Sequence, residues 1–496
     1  MAISRQLKPI DRAAITVIII LTFVLIGLIL SEKVCGTDCW FKAKANVREF
    51  SWEGQKISAE DRGFILTFSR PMNQESVENN LKIEPELQGK ISWSGKRMAY
   101  TLDKPAPYGT EYKISILGAK ETLGSEIKPF QETFITRDRA FVYLGVNGEE
   151  KGRLILYNLT QQEKTILTPS RLVVNRFFSY PDRSKILFSA TSQDNWEQGE
   201  LDQKLYTVTT GINYKDTPSG KTELILDNKN YQILEFELSP DGEKIVVRRG
   251  KREANGLGEI SLWVIENEAS PGKLETATGG DFIIPPDSKT VAIAQGQGVA
   301  LISLEKDSNP SNFLPQYGQV LNFSPDGKAA VMVNFNTQDT EKQYIRSLYL
   351  VTNRNVEKNL LNTNGSILSC EFNPTVTDLY CLLTELIEGE QYQEQPYLVS
   401  INLETATVTP LLTLPEYRDV EMSLSPDGLA LLFDQIMTVR DTSENTIQTL
   451  RSDSGEAIIG SQLWLLVPTP ILTKDPSQKP QLEELPISGL VPLWLP

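Results

Sequence analysis

Histidine is absent from the 496 residues. It is the usual proton shuttle near neutral pH and the commonest metal ligand. Its absence excludes Ser-His-Asp and Cys-His nucleophile systems and His-rich zinc sites. Lysine-based, carboxylate-pair and hydroxyl-only chemistry stay open. A Gly-x-Ser-x-Gly elbow is also missing, and neither a P-loop nor a dinucleotide glycine fingerprint follows a strand. The nearest stretch, Ala294-Gln295-Gly296-Gln297-Gly298, lacks the third glycine and a following helix, and reads as a hairpin turn. Basic residues are in deficit, 49 against 64 acidic, for a net charge of -15. That charge repels phosphate backbones, so no nucleic acid partner is expected. No catalytic residue, cofactor or metal-ligand set emerges.

Long apolar runs are scarce too, with one exception. Ala13 to Leu30 reads AAITVIIILTFVLIGLIL without a charge, and at helical rise it covers about 27 Å, the thickness of a bilayer core. Arg5, Lys8 and Arg12 precede it against one Asp11, which keeps residues 1–12 in the cytoplasm and sends the bulk outside. The expectation is a single-pass anchor at 13–30 in a bacterial cytoplasmic (inner) membrane, a linker at 31–43, and the remainder in the periplasm. A cleaved signal peptide is the rival reading. Its nearest small-x-small site, Ala43-Lys44-Ala45, lies well past the apolar run, and Val34 before Cys35 is a poor lipoprotein box.

Four cysteines fit an oxidising compartment. Cys370 and Cys381 flank Asn373 to Asp378, so in a hairpin turning there they face each other across two strands; free buried thiols are the alternative. Cys35 and Cys39 enclose Gly36-Thr37-Asp38 and could close a small loop.

Between 44 and 137 short alternating runs recur: Phe64–Phe68, Ile91–Trp93, Met98–Leu102, Tyr112–Ile116 and Phe134–Thr136. Period two with Gly and Pro punctuation predicts a sandwich. Phe68-Ser69-Arg70-Pro71-Met72-Asn73, Gly89-Lys90-Ile91-Ser92-Trp93 and Pro107-Tyr108-Gly109-Thr110-Glu111-Tyr112 resemble the bacterial Ig-like domains of surface proteins. The resemblance implies a spacer or adhesive module without catalytic residues. As large aromatic side chains on strands, Trp93 and Tyr112 are expected to pack in the core rather than contact a ligand.

From 138 to 496 the chain repeats. A turn recurs at Tyr180-Pro181-Asp182-Arg183, Ser239-Pro240-Asp241-Gly242, Pro285-Pro286-Asp287-Ser288, Ser324-Pro325-Asp326-Gly327, Asn373-Pro374-Thr375-Val376 and Ser425-Pro426-Asp427-Gly428. Its prolines lie 59, 46, 39, 49 and 52 residues apart, the spacing of propeller blades. Pro fixes φ, Ser and Asp bond the local backbone, and Gly tolerates the exit, so Asp182, Asp241, Asp326 and Asp427 are turn formers rather than a ring of ligands. A second unit recurs seven times: Leu154–Tyr157, Lys204–Val208, Ser261–Val264, Val299–Ile302, Ser347–Leu350, Pro396–Val399 and Gln462–Leu465.

Seven strands against six turns leave one turn missing. The chain's end, Val491 to Pro496, reads as an innermost strand pairing with Ala140–Leu144 in one shared blade, which removes open edges. Seven blades are expected, with six or eight as alternatives. The Ser-Pro-Asp-Gly plus Leu-Tyr/Trp pattern resembles the TolB-like class of WD-repeat-related propellers, which implies the fold and little about function.

Loops are the natural binding surface of such a fold. The largest are Thr191–Asp202, Arg248–Gly258 and Asp441–Gly460. Trp196 and the basic cluster of Arg248, Arg249 and Arg252 are the partner-binding candidates. The whole reads as all-β behind a transmembrane helix: a non-enzymatic envelope scaffold whose propeller binds protein. The alternative is a carbohydrate-active or hydrolytic enzyme with two channel carboxylates.

Overall fold

A computed structural model describes residues 9–34, 44–200, 202–212, 217–254, 256–266, 270–274, 280–296, 298–305, 312–337, 339, 341, 344–354, 356–387, 393–414, 419–439, 450–452, 455–468 and 479–496. Helix α1 runs Pro9–Val34. Its side chains between Ile15 and Ile26 are exposed, Phe23 most of all, and the Thr22 hydroxyl donates to Ile18 O at 2.7 Å, which satisfies the polar group locally. Among the described residues no helix is long and apolar enough to cross a membrane. Cys35 and Cys39 lie outside the described residues, as does most of Asp441–Gly460.

The chain divides into two compact units: Met1–Gln55, Gly63–Leu102 and Glu111–Phe134 in one, and Lys56–Arg62, Asp103–Thr110 and Ile135–Pro496 in the other. In the first, one sheet orders Val47–Phe50, Gly63–Phe68, Arg97–Leu102 and Gly89–Ser94, and a second pairs Phe130–Thr136 and Leu81–Glu84 with Glu111–Ile116. Alternate residues point inward, as in Gly63–Phe68, where Phe64, Leu66 and Phe68 are buried. Aromatic rings from both sheets meet: Phe50 to Phe134 at 6.1 Å, and Trp52, just after the strand Val47–Phe50, to Phe134 at 5.0 Å. Tyr112 is buried and stacks on Phe134 at 5.2 Å. Trp93 is half-buried, stacks on Phe68, and donates to Glu78 Oε1 at 2.8 Å. Helix α2, Gln74–Asn80, was not foreseen; the Asn73 side chain caps it by accepting from Ser76 N at 3.0 Å.

The second unit contains seven four-stranded antiparallel sheets among its described residues. Blades 2 to 7 begin with Leu172–Ser179, Tyr231–Leu238, Phe282–Ile283, Gln319–Phe323, Ile367–Phe372 and Met422–Leu424. Each then runs outward in chain order through a second, third and fourth strand. Blade 1 is assembled from both ends of the unit: the closing strand Gly489–Trp494 pairs with Ala140–Gly145, followed by Leu154–Asn158 and Glu163–Ile166. The six Pro-containing turns each join a first strand to a second, and all seven Leu-Tyr/Trp segments are third strands.

Sheets packed on both faces need apolar second and third strands; Lys185–Ser192 and Ala329–Asn334 are almost wholly buried, and so is Leu431–Val439 up to Ile436. The cores sit between neighbouring blades, for example Leu187, Phe236 and Val247 between blades 2 and 3, and Leu382, Leu424 and Phe433 between 6 and 7. First strands of blades 2 and 3, 4 and 5, 5 and 6, 6 and 7, and 7 and 1 touch, so these strands lie innermost.

In every turn the fourth residue donates its N–H to the first residue's carbonyl, as Gly242 does to Ser239 at 2.8 Å. That fourth residue takes the left-handed region, φ +77° at Gly242, +67° at Gly327 and +74° at Gly428. Arg183, Ser288 and Val376 adopt it without glycine's freedom. Ser239, Ser324 and Ser425 each donate to the Asp two residues on, at 2.6, 2.8 and 2.6 Å. Asp427 is buried, and its Oδ2 also accepts from Tyr108 N at 3.0 Å. Cys370 and Cys381 are register partners and form a disulfide, with Cα atoms 4.1 Å apart.

Candidate functional site

Because strands within a blade alternate in direction, the Pro turns lie on one face of the propeller and the connections from second to third strand on the other. Of the loops singled out in sequence, Thr191–Asp202 and Arg248–Gly258 are of the latter kind, though the second is mostly strand, Arg248–Glu253 ending Lys244–Glu253 and Gly256–Gly258 opening Gly256–Glu266; Asp441–Gly460 lies largely outside the described residues. Topology therefore collects them on one face.

The individual candidates fare differently there. Trp196 stands on a one-turn helix, α3 (Gln193–Glu197), where a loop was expected; Ser192 Oγ caps it by accepting from Asn195 N at 3.2 Å. The ring is partly buried against blades 1 and 2, with Lys151 Nζ 5.5 Å from its centre. Arg249 is only 7% exposed, its guanidinium held between Tyr231 at 4.4 Å and Trp263 at 4.0 Å. Both faces of that cation are used inside its own blade, and burial lowers its pKa. Arg252 pairs with Asp202 and donates through Nε to Asn228 O at 2.9 Å. Arg248 bonds Glu235 at 2.8 Å and Gly280 O at 2.9 Å. The basic cluster thus fastens a hairpin; it does not present three free cations.

Unforeseen features surround these residues on the same face. A cavity of about 330 Å³ is walled by Val146, Asn147, Gly148 and Lys151 of blade 1 and by Leu450, Ile458 and Ile459 of blade 7. That volume falls in the range of real ligand pockets. Beside it the hairpin of blade 7 exposes Met437 (49%), Val439 (47%) and Ile459 (63%). Blade 3 adds Leu257 and Ile260, also exposed.

The channel strands carry a different set. Glu235 lies between Arg248 and Arg176, the latter at 3.5 Å, and burial nonetheless raises its pKa. Two residues on, Glu237 Oε1 accepts from Ile284 N of blade 4 at 3.2 Å, while its Oε2 has no partner. Burial pushes Glu237 up to about 8. Glu237 stands three residues before its turn proline. The same position in blades 5, 6 and 7 also reaches the next blade's backbone. Asn322 Nδ2 donates to Cys370 O at 3.1 Å, Glu371 Oε2 accepts from Leu424 N at 3.0 Å, and Ser423 Oγ accepts from Trp494 N at 3.1 Å. The signal was present in the sequence as a polar residue in otherwise apolar strands, Phe-Glu-Leu, Leu-Asn-Phe, Cys-Glu-Phe and Met-Ser-Leu. No group of three or more His, Cys, Asp or Glu able to hold a metal occurs among the described residues.

The chain matches no protein-family model and no curated protein. Similar solved structures include TolB from Acinetobacter baumannii, at 11% identity over 84% of this chain and 83% of that one, TM-score 0.40. Oligogalacturonate lyase from Vibrio parahaemolyticus shares 13% over 60% and 87%, TM-score 0.42. A hypothetical selenium-binding protein from Sulfolobus tokodaii shares 10% over 73% and 93%, TM-score 0.44. At such low similarity the propeller assignment rests on the chain's own seven sheets and their shared closing blade.

Proposed function

We propose that this chain is a membrane-anchored, extracytoplasmic scaffolding protein of the bacterial cell envelope that docks a protein partner on the propeller face carrying the second-to-third-strand connections. The observation that carries this reading is the cavity of about 330 Å³, walled by aliphatic side chains together with Asn147 and Lys151, beside exposed Met437, Val439 and Ile459. A partner's apolar or aromatic anchor suits such a pocket, and exposed apolar clusters on a long hairpin mark contact surfaces. In this reading the anchor is the uncharged run Ala13 to Leu30, and the basic residues before it favour a periplasmic bulk. The aromatic-cored first unit serves as an Ig-like spacer. The chain acts by binding: Glu235 is engaged by arginines, Glu371 by the backbone of Leu424, and one oxygen of Glu237 by the backbone of Ile284.

Capture from envelope extract by the full chain in mild detergent tests this. Met437→Glu with Ile459→Glu abolishes capture, whereas Glu243→Lys, on the turn face, leaves it intact. Recovery of bait alone in several detergents overturns the scaffold reading.

One observation favours the second reading, a carboxylate-dependent hydrolase or carbohydrate-active enzyme: Glu237 keeps its proton at neutral pH beside Glu235. A proton-bearing carboxyl next to a second one is the pairing of glycoside chemistry. Envelope-glycan turnover that disappears in Glu237→Gln would establish it.

A further inference from the structure

Among the described residues of the first unit beyond α1, the large apolar side chains exposed to solvent are two leucines, Leu123 at 84% and Leu117 at 52%. Both stand in one connection, 117–129, which joins Glu111–Ile116 to Phe130–Thr136. Leu123 is held out at the tip of a tight turn, in which Gly124 takes φ +87° and donates its N–H to Glu121 O at 2.8 Å. The base of that turn is fastened. Glu121 is buried and pairs with Arg70 at 3.4 Å, and Thr122 Oγ1 donates to Pro71 O at 3.1 Å.

The connection lies at the end of the sandwich where the chain enters. Lys128 N donates to Ala45 O at 2.8 Å, and Ser69 N to Asn46 O at 2.9 Å, so the chain following the apolar run Ala13 to Leu30 arrives at this end. Residues 31–44 span at most about 50 Å even when fully extended. Lys96 joins the same end by donating through Nζ to Ser69 O at 3.4 Å, and Lys120 O accepts there from Asn73 N at 3.1 Å. Lys44, Lys96, Lys120 and Lys128 are all exposed, against Glu75 and Glu126. This is a local excess of positive charge on a chain of net charge -15.

We propose that the connection 117–129 dips Leu123 into the surface of the bilayer that holds the anchor, with the surrounding lysines on anionic lipid headgroups. The inference rests on the anchor reading given above, and it makes the sandwich a lipid-contacting module as well as a spacer. An apolar tip ringed by cations suits the headgroup boundary, where the side chain leaves water and the ammonium groups meet lipid phosphate. One leucine and a few lysines hold a free domain weakly. A short tether makes the contact intramolecular, so a weak affinity suffices.

The full chain, reconstituted into liposomes of phosphatidylethanolamine and phosphatidylglycerol, tests this. An environment-sensitive dye is placed on Ser125→Cys, with Cys35→Ser and Cys39→Ser leaving only the disulfide pair Cys370 and Cys381 beside it. The expected result is a blue-shifted emission quenched by brominated lipid, and loss of both in Leu123→Asp. The same dye on Val408→Cys, in the fourth strand of blade 6, stays open to aqueous iodide. Because Leu123 is so exposed, its replacement leaves the fold intact. In a chain that floats with the liposomes, iodide access at 125 equal to that at 408, or a signal unchanged by Leu123→Asp, overturns the lipid contact and leaves the anchor standing. A chain that does not float with them overturns both.

Discussion

Glu371 of blade 6 accepts a hydrogen bond from the backbone N–H of Leu424 in blade 7, 3.0 Å away, and burial pushes its carboxyl up to about 7. Glu237 repeats the arrangement between blades 3 and 4 and is pushed up to about 8. In the unfolded chain both return to the ordinary range near 4.5. The folded protein therefore binds more protons. The stabilisation is complete below about pH 4.5 and is lost as pH climbs through 7 to 8. Glu237→Gln with Glu371→Gln should flatten that decline in denaturant titrations between roughly pH 5 and pH 9, an effect of a few kcal/mol. Glu371→Ala should cost about 1–3 kcal/mol below about pH 5, because Leu424 N–H loses its acceptor, and less as pH rises through 7.

The turn glycines answer to backbone strain. At Gly327 an added Cβ meets nothing closer than Pro286 at 3.9 Å, so space is not limiting, but φ is +67°. Gly327→Val should cost about 1–2 kcal/mol, and Gly327→Asn noticeably less, because Asn tolerates this region and a β-branched residue does not. Thermal melts of the two variants check the order.

Arg249 should behave as a structural cation. Arg249→Ala empties the slot between Tyr231 and Trp263 and should cost about 2 kcal/mol through lost stacking and packing. Partner capture at matched folded concentration should not change. A loss of capture without loss of stability would return Arg249 to the binding surface.

The disulfide closes a short hairpin, with Cys370 and Cys381 separated by 11 residues. Replacing both by Ala should cost about 3 kcal/mol, from restored freedom of the unfolded loop together with two small cavities in buried positions. Melting with and without reductant isolates the loss of the cross-link, since reduction leaves both sulfurs in place, and should show the smaller effect.

Much of the propeller could be read from the sequence because its signals are local and repeated. Pro240-Asp241-Gly242 dictates a turn wherever it occurs, and Ser261-Leu262-Trp263-Val264 reads as a strand buried on both faces. The surplus of third strands over turns pointed to the pairing of the chain's end with Ala140–Leu144. What could not be read depends on distant residues. Arg248, Arg249 and Arg252 look like a solvated basic loop in one dimension, yet Glu235, Trp263 and Asp202, far apart in sequence, absorb them. The cavity of blades 1 and 7 joins Val146 to Ile459, more than three hundred residues apart, and no local pattern announces it. Helices α2 and α3 are a turn or two long and depend on the caps Asn73 and Ser192, which also suit loops.

The central claim is one ring of seven sheets closed by the chain's own tail. Leu490, Trp494 and Leu495 are each at most 5% exposed in that closing blade, and burying three such side chains is worth roughly 5–8 kcal/mol, comparable with a domain's whole stability. Deleting Gly489–Pro496 and following thermal unfolding by circular dichroism tests it directly. The cooperative transition of the propeller should disappear or fall far in temperature, and an unchanged melt would contradict the closure.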